Sequence, residues 1–251
     1  MKDRFVDALG KIDDDMIEDV NALRIKNRKA STILFRRWTS LAACLCLFVT
    51  GFMVYALASS DNPFFAKWGA YLGLKTETPG NSTATDEELY AVGKDGGIPL
   101  SFYEQTKEFY LLSGYTEEEA VFLTVSYVEE YMALYLEAVR QGFDVTEEEV
   151  RDKIESLKEM LSGEENAALL SQMMTGFSSE EAYWEYEYQV YQKSLPIEKY
   201  RMKLENDFFA DGEHDRGNEA DQDAWISWYD AYKEELVKKQ AFQPVYQEKK
   251  Q

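Results

Sequence analysis

The residues able to do acid–base, nucleophilic or metal chemistry are few and poorly grouped. The chain has one histidine, His214, in the loop Asp211-Gly212-Glu213-His214-Asp215-Arg216-Gly217, with no nucleophile close in sequence for it to activate. It reads as a solvated loop residue. The alternating carboxylates Asp211, Glu213 and Asp215, followed by Glu219, share part of the pattern of a calcium loop, but neither the glycine nor the closing glutamate falls at EF-hand spacing. The triplets Glu117, Glu118, Glu119 and Glu147, Glu148, Glu149 each follow a threonine, and capping of a helix start accounts for them better than metal binding or proton transfer. Cys44 and Cys46 stand two apart inside an apolar run, and no phosphate loop or zinc spacing occurs anywhere. The expectation is a protein that is not an enzyme, with no catalytic residue, no cofactor and no metal.

The aromatic side chains are the other group with chemical use. Aromatic residues make up 14% of the chain, and Tyr and Trp offer large apolar area with a polar handle, a surface suited to polypeptide without strict sequence preference. Tyr183, Trp184, Tyr188, Tyr191 and Trp228 are the candidate polypeptide-binding residues on this reading. The competing reading is that rings at helical spacing mark a buried face.

Composition limits where such a surface operates. The 251 residues carry a formal net charge of -20 and are 45% hydrophobic, enough to bury a core. An acidic chain lacks the clustered Lys and Arg that displace counterions from a phosphate backbone, so no nucleic-acid partner is expected. The charge is divided unevenly: residues 1–37 hold nine Lys or Arg against seven Asp or Glu, and residues after 58 hold 18 against 40. Between them, residues 38–58 read WTSLAACLCLFVTGFMVYALA, 21 residues without a charge, about the ~20 needed to cross a bilayer. Basic residues precede this run and none follows it until Lys67, which places the N-terminus in the cytoplasm and the acidic bulk outside the cell membrane. The box Leu41-Ala42-Ala43-Cys44 has the form of a bacterial lipoprotein cleavage site, but six residues after Arg37 are too few for the usual apolar core, and the run continues past the Cys. Phe64, Phe65, Trp68 and Tyr71 either dip into the outer headgroups or pack onto the domain.

Helices must position the aromatic rings. Ser101-x-x-Glu104, Thr116-x-x-Glu119, Thr146-x-x-Glu149 and Ser178-x-x-Glu181 match the capping box, and Gly114, Gly142, Gly163 and Gly176 stand where helices should stop. These signals predict helices over 101–113, 116–141, 146–161, 164–175 and 178–206, the last kinked at Pro196, and a further one over 220–240. The fold class is all-α: one transmembrane helix, then about six helices. Residues 1–37 form a cytoplasmic segment, 38–58 the membrane helix, 59–89 a juxtamembrane segment with a flexible stalk at TETPGNSTATDEE, and 90–251 the outer domain. Asn81-Ser82-Thr83 matches a glycosylation acceptor, in a chain that otherwise looks bacterial.

Three stretches carry a resemblance: Gly97-Ile98-Pro99-Leu100-Ser101; Leu136-Glu137-Ala138-Val139-Arg140-Gln141-Gly142-Phe143-Asp144-Val145-Thr146-Glu147-Glu148-Glu149-Val150; and Glu181-Ala182-Tyr183-Trp184-Glu185. Residues 92–209 resemble the helical N-terminal chaperone domain of the SurA and PrsA extracytoplasmic foldases. The resemblance implies a long helix, a returning C-terminal helix at 225–240, and binding of unfolded secreted proteins. The parvulin prolyl isomerase domain common in that family has no room here, because 206–223 holds only a short acidic loop. The expected function is a membrane-anchored extracytoplasmic chaperone-like domain for unfolded or extended polypeptide, without isomerase activity. The alternative is a signalling or scaffold protein whose residues 1–30 contact a cytoplasmic regulator, since Ala8-Leu9-Gly10-Lys11-Ile12 and the residues after it are similar to the start of some anti-sigma-like membrane proteins.

Overall fold

Residues 64–77, 88–163, 170–210 and 212–246 are described by a computed structural model. The expected cytoplasmic segment 1–37, the membrane helix 38–58, Asn81 and the first part of the helix expected over 164–175 lie outside them. Among the described residues no helix is long and apolar enough to cross a membrane.

The helices start where the sequence offers partners for free amide hydrogens. In α3 (Glu117–Arg140) and α4 (Glu147–Leu161), Thr116 and Thr146 each complete a capping box, with the Glu119 and Glu149 amides donating to the threonine hydroxyls and the carboxylates accepting from the threonine amides. The two other expected boxes are not built that way. The helix α2 (Leu100–Leu112) begins one residue before Ser101, directly after Pro99, and the Leu100 amide is satisfied by the Glu88 carbonyl at 2.8 Å. In α5 (Glu180–Ala210) the cap is Ser179, whose hydroxyl accepts from the Ala182 amide at 3.1 Å. The last helix, α6 (Glu219–Gln240), is capped by Asn218. Gly114 and Gly142 take positive φ at the ends of α2 and α3, the left-handed conformation that a helix stop asks of glycine. Pro196 lies inside α5 without ending it.

The structure is mostly helical, as expected, with a small sheet that was not. Strands β1 (Leu89–Val92), β2 (Gly97–Pro99) and β3 (Gln243–Pro244) pair antiparallel in the order β2-β1-β3. This sheet ties the entry to α2 to the chain leaving α6. Buried Gln240 locks the join: its carbonyl accepts from the Lys94 amide at 2.8 Å, and its side chain exchanges hydrogen bonds with the Asp95 amide and carboxylate. Ala241 takes φ 49° to turn the chain from α6 into β3.

Two apolar clusters fill the interior. One gathers Tyr90, Ile98, Tyr103, Val128, Met132, Trp225, Tyr229 and Leu236 from the sheet, α2, α3 and α6. The other gathers Phe109, Val150, Ile154, Tyr183, Trp184 and Tyr191 together with Phe64, Phe65, Trp68 and Leu72 of a further helix, α1 (Phe64–Glu77). Both α2 and α5 run through the two clusters, which makes them the members that couple one to the other.

The packing of α1 answers the open question about its aromatic residues. Phe64, Phe65 and Trp68 are buried, and Phe64 and Trp68 meet Phe109 edge-on at 5.4 Å. Gly69 and Gly73, one turn apart, let the helix backbone lie against the backbone of Met173 and Gly176, where a Cβ on either glycine would fall inside a carbonyl group. The outer domain was expected to begin near Tyr90; α1, within the range expected for the juxtamembrane segment and stalk, contributes to its core.

Candidate functional site

The five aromatic residues singled out from sequence do not share a surface. Tyr183 and Tyr191 are buried in the cluster with α1. Trp184 is buried as well, its indole nitrogen donating to Glu180 at 3.1 Å and its ring covered by the Lys158 ammonium. Tyr188 is half-buried beneath Arg151. These four follow the inner face of α5, so the buried-stripe reading holds for three of them outright. Trp228 differs: it is 40% exposed.

Around Trp228 lies a seam of rings between the C-terminal half of α5 and α6. Along α6, Trp225 and Trp228 stack with centroids 5.4 Å apart, and Trp228 and Tyr232 lie parallel at 5.3 Å. The spacing of three and four residues puts them on one side of the helix. From α5, Phe208 meets Trp225 at 5.6 Å and Trp228 at 6.0 Å. Tyr200, two turns earlier, shares a 2.6 Å hydrogen bond between its hydroxyl and that of Tyr232. Leu204 falls between these two on α5 and is partly buried in the same cluster.

Each end of the seam is fixed by polar groups. At one end the loop before α6 folds back on α5: Arg216 lies over Phe209 at 4.9 Å and donates to Glu205 and Asn206. His214 rests on Phe208, ring centroids 4.2 Å apart, and is half-buried rather than solvated as expected, because the imidazole finds an apolar face to cover. At the other end stands Glu137, which is buried and accepts from Arg140, from Gln141 at 2.8 Å and from Lys239 at 3.4 Å. The hydrogen bond from Arg140, with Gln141 and Lys239 adding to it against the cost of burial, holds its carboxyl down at about 2. Burial, together with the mutual hydrogen bond, pushes the Tyr200 hydroxyl far above the usual phenol range, and burial raises that of Tyr232.

Chemically the seam offers contact area. Its phenols are held protonated, its only imidazole is stacked on a phenylalanine, and among the described residues no group of His, Cys, Asp or Glu is arranged to hold a metal ion. Tyr200, which is buried, and Phe208, which is half-buried, were not singled out from sequence as part of the seam. The signal was there in the spacing of Tyr200, Leu204 and Phe208, four residues apart on α5, but that spacing says nothing of which helix completes the surface.

Comparison with known proteins adds no relative: no family model matches the chain, and neither a curated protein nor a solved structure matches it. What the fold and the seam define is the class, a mostly helical, strongly acidic protein with a packed seam of aromatic rings between α5 and α6 from which Trp228 is exposed.

Proposed function

We propose that the chain is a membrane-anchored extracytoplasmic protein whose helical domain binds unfolded or extended polypeptide, as a SurA-like chaperone without prolyl isomerase activity. The observation that carries this reading is the exposed Trp228, backed by stacked rings on both neighbouring turns. Rigid aromatic rings present apolar area at low entropic cost and accept many sequences. The return of α6 onto α3, burying Trp225, Tyr229 and Leu236 beside Val128 and Met132, is the arrangement that the sequence resemblance implies. The direct passage from α5 to α6 through a short acidic loop agrees with the lack of an inserted catalytic domain. Anchoring and the outward orientation rest on the uncharged run 38–58 and its basic flank.

The test is aggregation of an unfolding client protein followed by light scattering, with residues 59–251 as the additive so that α1 is retained. Suppression at a few-fold molar excess, weakened by Trp228→Ala, is the expected result. A scattering trace unchanged at ten-fold excess would reject the reading.

A further inference from the structure

We propose, resting on the polypeptide-binding reading above, that the face of α6 bearing Trp228, Tyr232 and Glu235 takes a cationic segment: extended chain with Arg or Lys a few residues from an apolar side chain. The three residues are spaced by four and three and therefore share one face. Seven residues of helix cover about 10 Å, the length of roughly three residues of extended chain. A ligand with its apolar group on the ring column and its cation toward Glu235 fits that length.

Charge decides the ligand. Residues 211–240 hold nine Asp or Glu against four Lys or Arg, and all four cations are already engaged, Arg216 by Glu205, Lys233 by Glu130 and Asp230, Lys238 by Glu234 and Lys239 by Glu137. Glu235 is exposed and has no ion pair among the described residues. Trp228 has Trp225 stacked on the turn before it and Tyr232 on the turn after it, so it presents its rim to a ligand as apolar contact, and the charge preference comes from the carboxylates. An exposed indole rim beside Glu235, in a segment with a surplus of acidic residues, offers apolar contact while the local field attracts an ammonium or guanidinium. An acidic segment is repelled, and a neutral one covers the rings but leaves the carboxylates unanswered.

The test is fluorescence anisotropy with the full-length chain in detergent and three labelled, unstructured twelve-residue peptides of Ser and Leu carrying Arg, Gln or Glu at every third position. The Arg peptide should bind at least about ten-fold more tightly than the Gln peptide at low salt, with the gap closing as salt rises. Trp228→Ala should weaken the Arg and Gln peptides alike, about five-fold, by loss of apolar contact, and Glu235→Gln should weaken the Arg peptide about three-fold by loss of one nearby charge. Glu148→Gln, the same charge change in the first turn of α4, should leave it unchanged. If Trp228→Ala fails to fold, Glu235→Gln and Glu235→Lys, both at an exposed position, carry the test. Equal affinity for the Arg and Gln peptides would overturn the cationic preference while leaving polypeptide binding intact. Weakening by Glu148→Gln as large as that by Glu235→Gln would reduce the effect to overall charge and overturn the site. Binding of none of the three would remove both readings.

Discussion

Trp68→Ala separates a buried α1 from a helix lying on lipid headgroups. Trp68 is 2% exposed, stacks with Tyr71 at 5.6 Å and meets Phe109 edge-on at 5.4 Å and 82°. Truncating a buried Trp removes the transfer energy of the ring and leaves a cavity, together about 3–5 kcal/mol. For a domain of this size that loss lowers the melting midpoint by about 6–20 °C. Residues 59–251 should therefore unfold in urea at a clearly lower midpoint when they carry the substitution, with the slope of the transition unchanged. Phe109→Ala should couple to it: the double variant should lose less than the two singles together, by about 0.5–1.5 kcal/mol, the worth of an edge-to-face pair beyond its area. A change below about 0.5 kcal/mol for Trp68→Ala, the range of surface substitutions, would refute the placement of α1 in the core.

Three further outcomes follow from the same packing. Gly73→Ala drives a methyl group into the Gly176 carbonyl and should cost about 1–3 kcal/mol in the same urea titration; an unchanged midpoint would mean the two backbones do not touch. Thr116→Ala and Thr146→Ala each break a formed capping box and should lose about 1 kcal/mol, while Ser178→Ala, exposed and one residue ahead of the Ser179 cap, should stay within about 0.5 kcal/mol. The carboxyl of Glu137 lies at about 2 in the folded chain against its ordinary 4.5. Its contribution, on the order of 3 kcal/mol, is present above pH 4.5 and is lost as pH falls from 4.5 toward 2. Unfolding midpoints across that window should fall more steeply for the wild type than for Glu137→Gln, and parallel curves would show that the carboxylate adds nothing.

Legibility in the sequence followed the range of the interaction. Helices whose ends are set by contacts three or four residues away were readable: α2, α3 and α4 lie within a residue of the expected spans, because Gly114 and Gly142 state the stops of α2 and α3, and Thr116 and Thr146 the starts of α3 and α4, locally. The strands were not readable, since segments of four, three and two residues are too short to show a period of two, and their partners lie far apart along the chain. Helix α1 follows a local start signal, Asp61-Asn62-Pro63, but its aromatic spacing fits a bilayer surface as well as a core; only Phe109 and the close backbone of Gly176 decide between them. The candidate site had the same ambiguity. Trp225, Trp228 and Tyr229 share one helical spacing, yet Trp225 and Tyr229 are buried and Trp228 is not, because periodicity marks a stripe without marking its outer edge.

The rooting of α1 also changes what the proposed membrane anchor would do. A stalk over 59–89 would be 31 residues, able to reach about 100 Å when extended. Phe64 is in the core, so on the proposed anchor the free tether shrinks to residues 59–63, at most about 18 Å, and the Pro-, Gly- and Thr-rich run after α1 joins two packed elements instead of spacing the domain from the bilayer. A domain held that close has its orientation restricted as well as its distance. The consequence is measurable with a dye on exposed Leu74, introduced as Leu74→Cys after Cys44 and Cys46 are changed to Ser, in vesicles containing an acceptor-labelled headgroup lipid. Strong energy transfer is expected, and inserting twenty Gly and Ser residues after residue 60 should reduce it severalfold. Transfer that is already weak without the insertion would refute the short tether, and with it any account in which the bilayer helps to aim the aromatic seam.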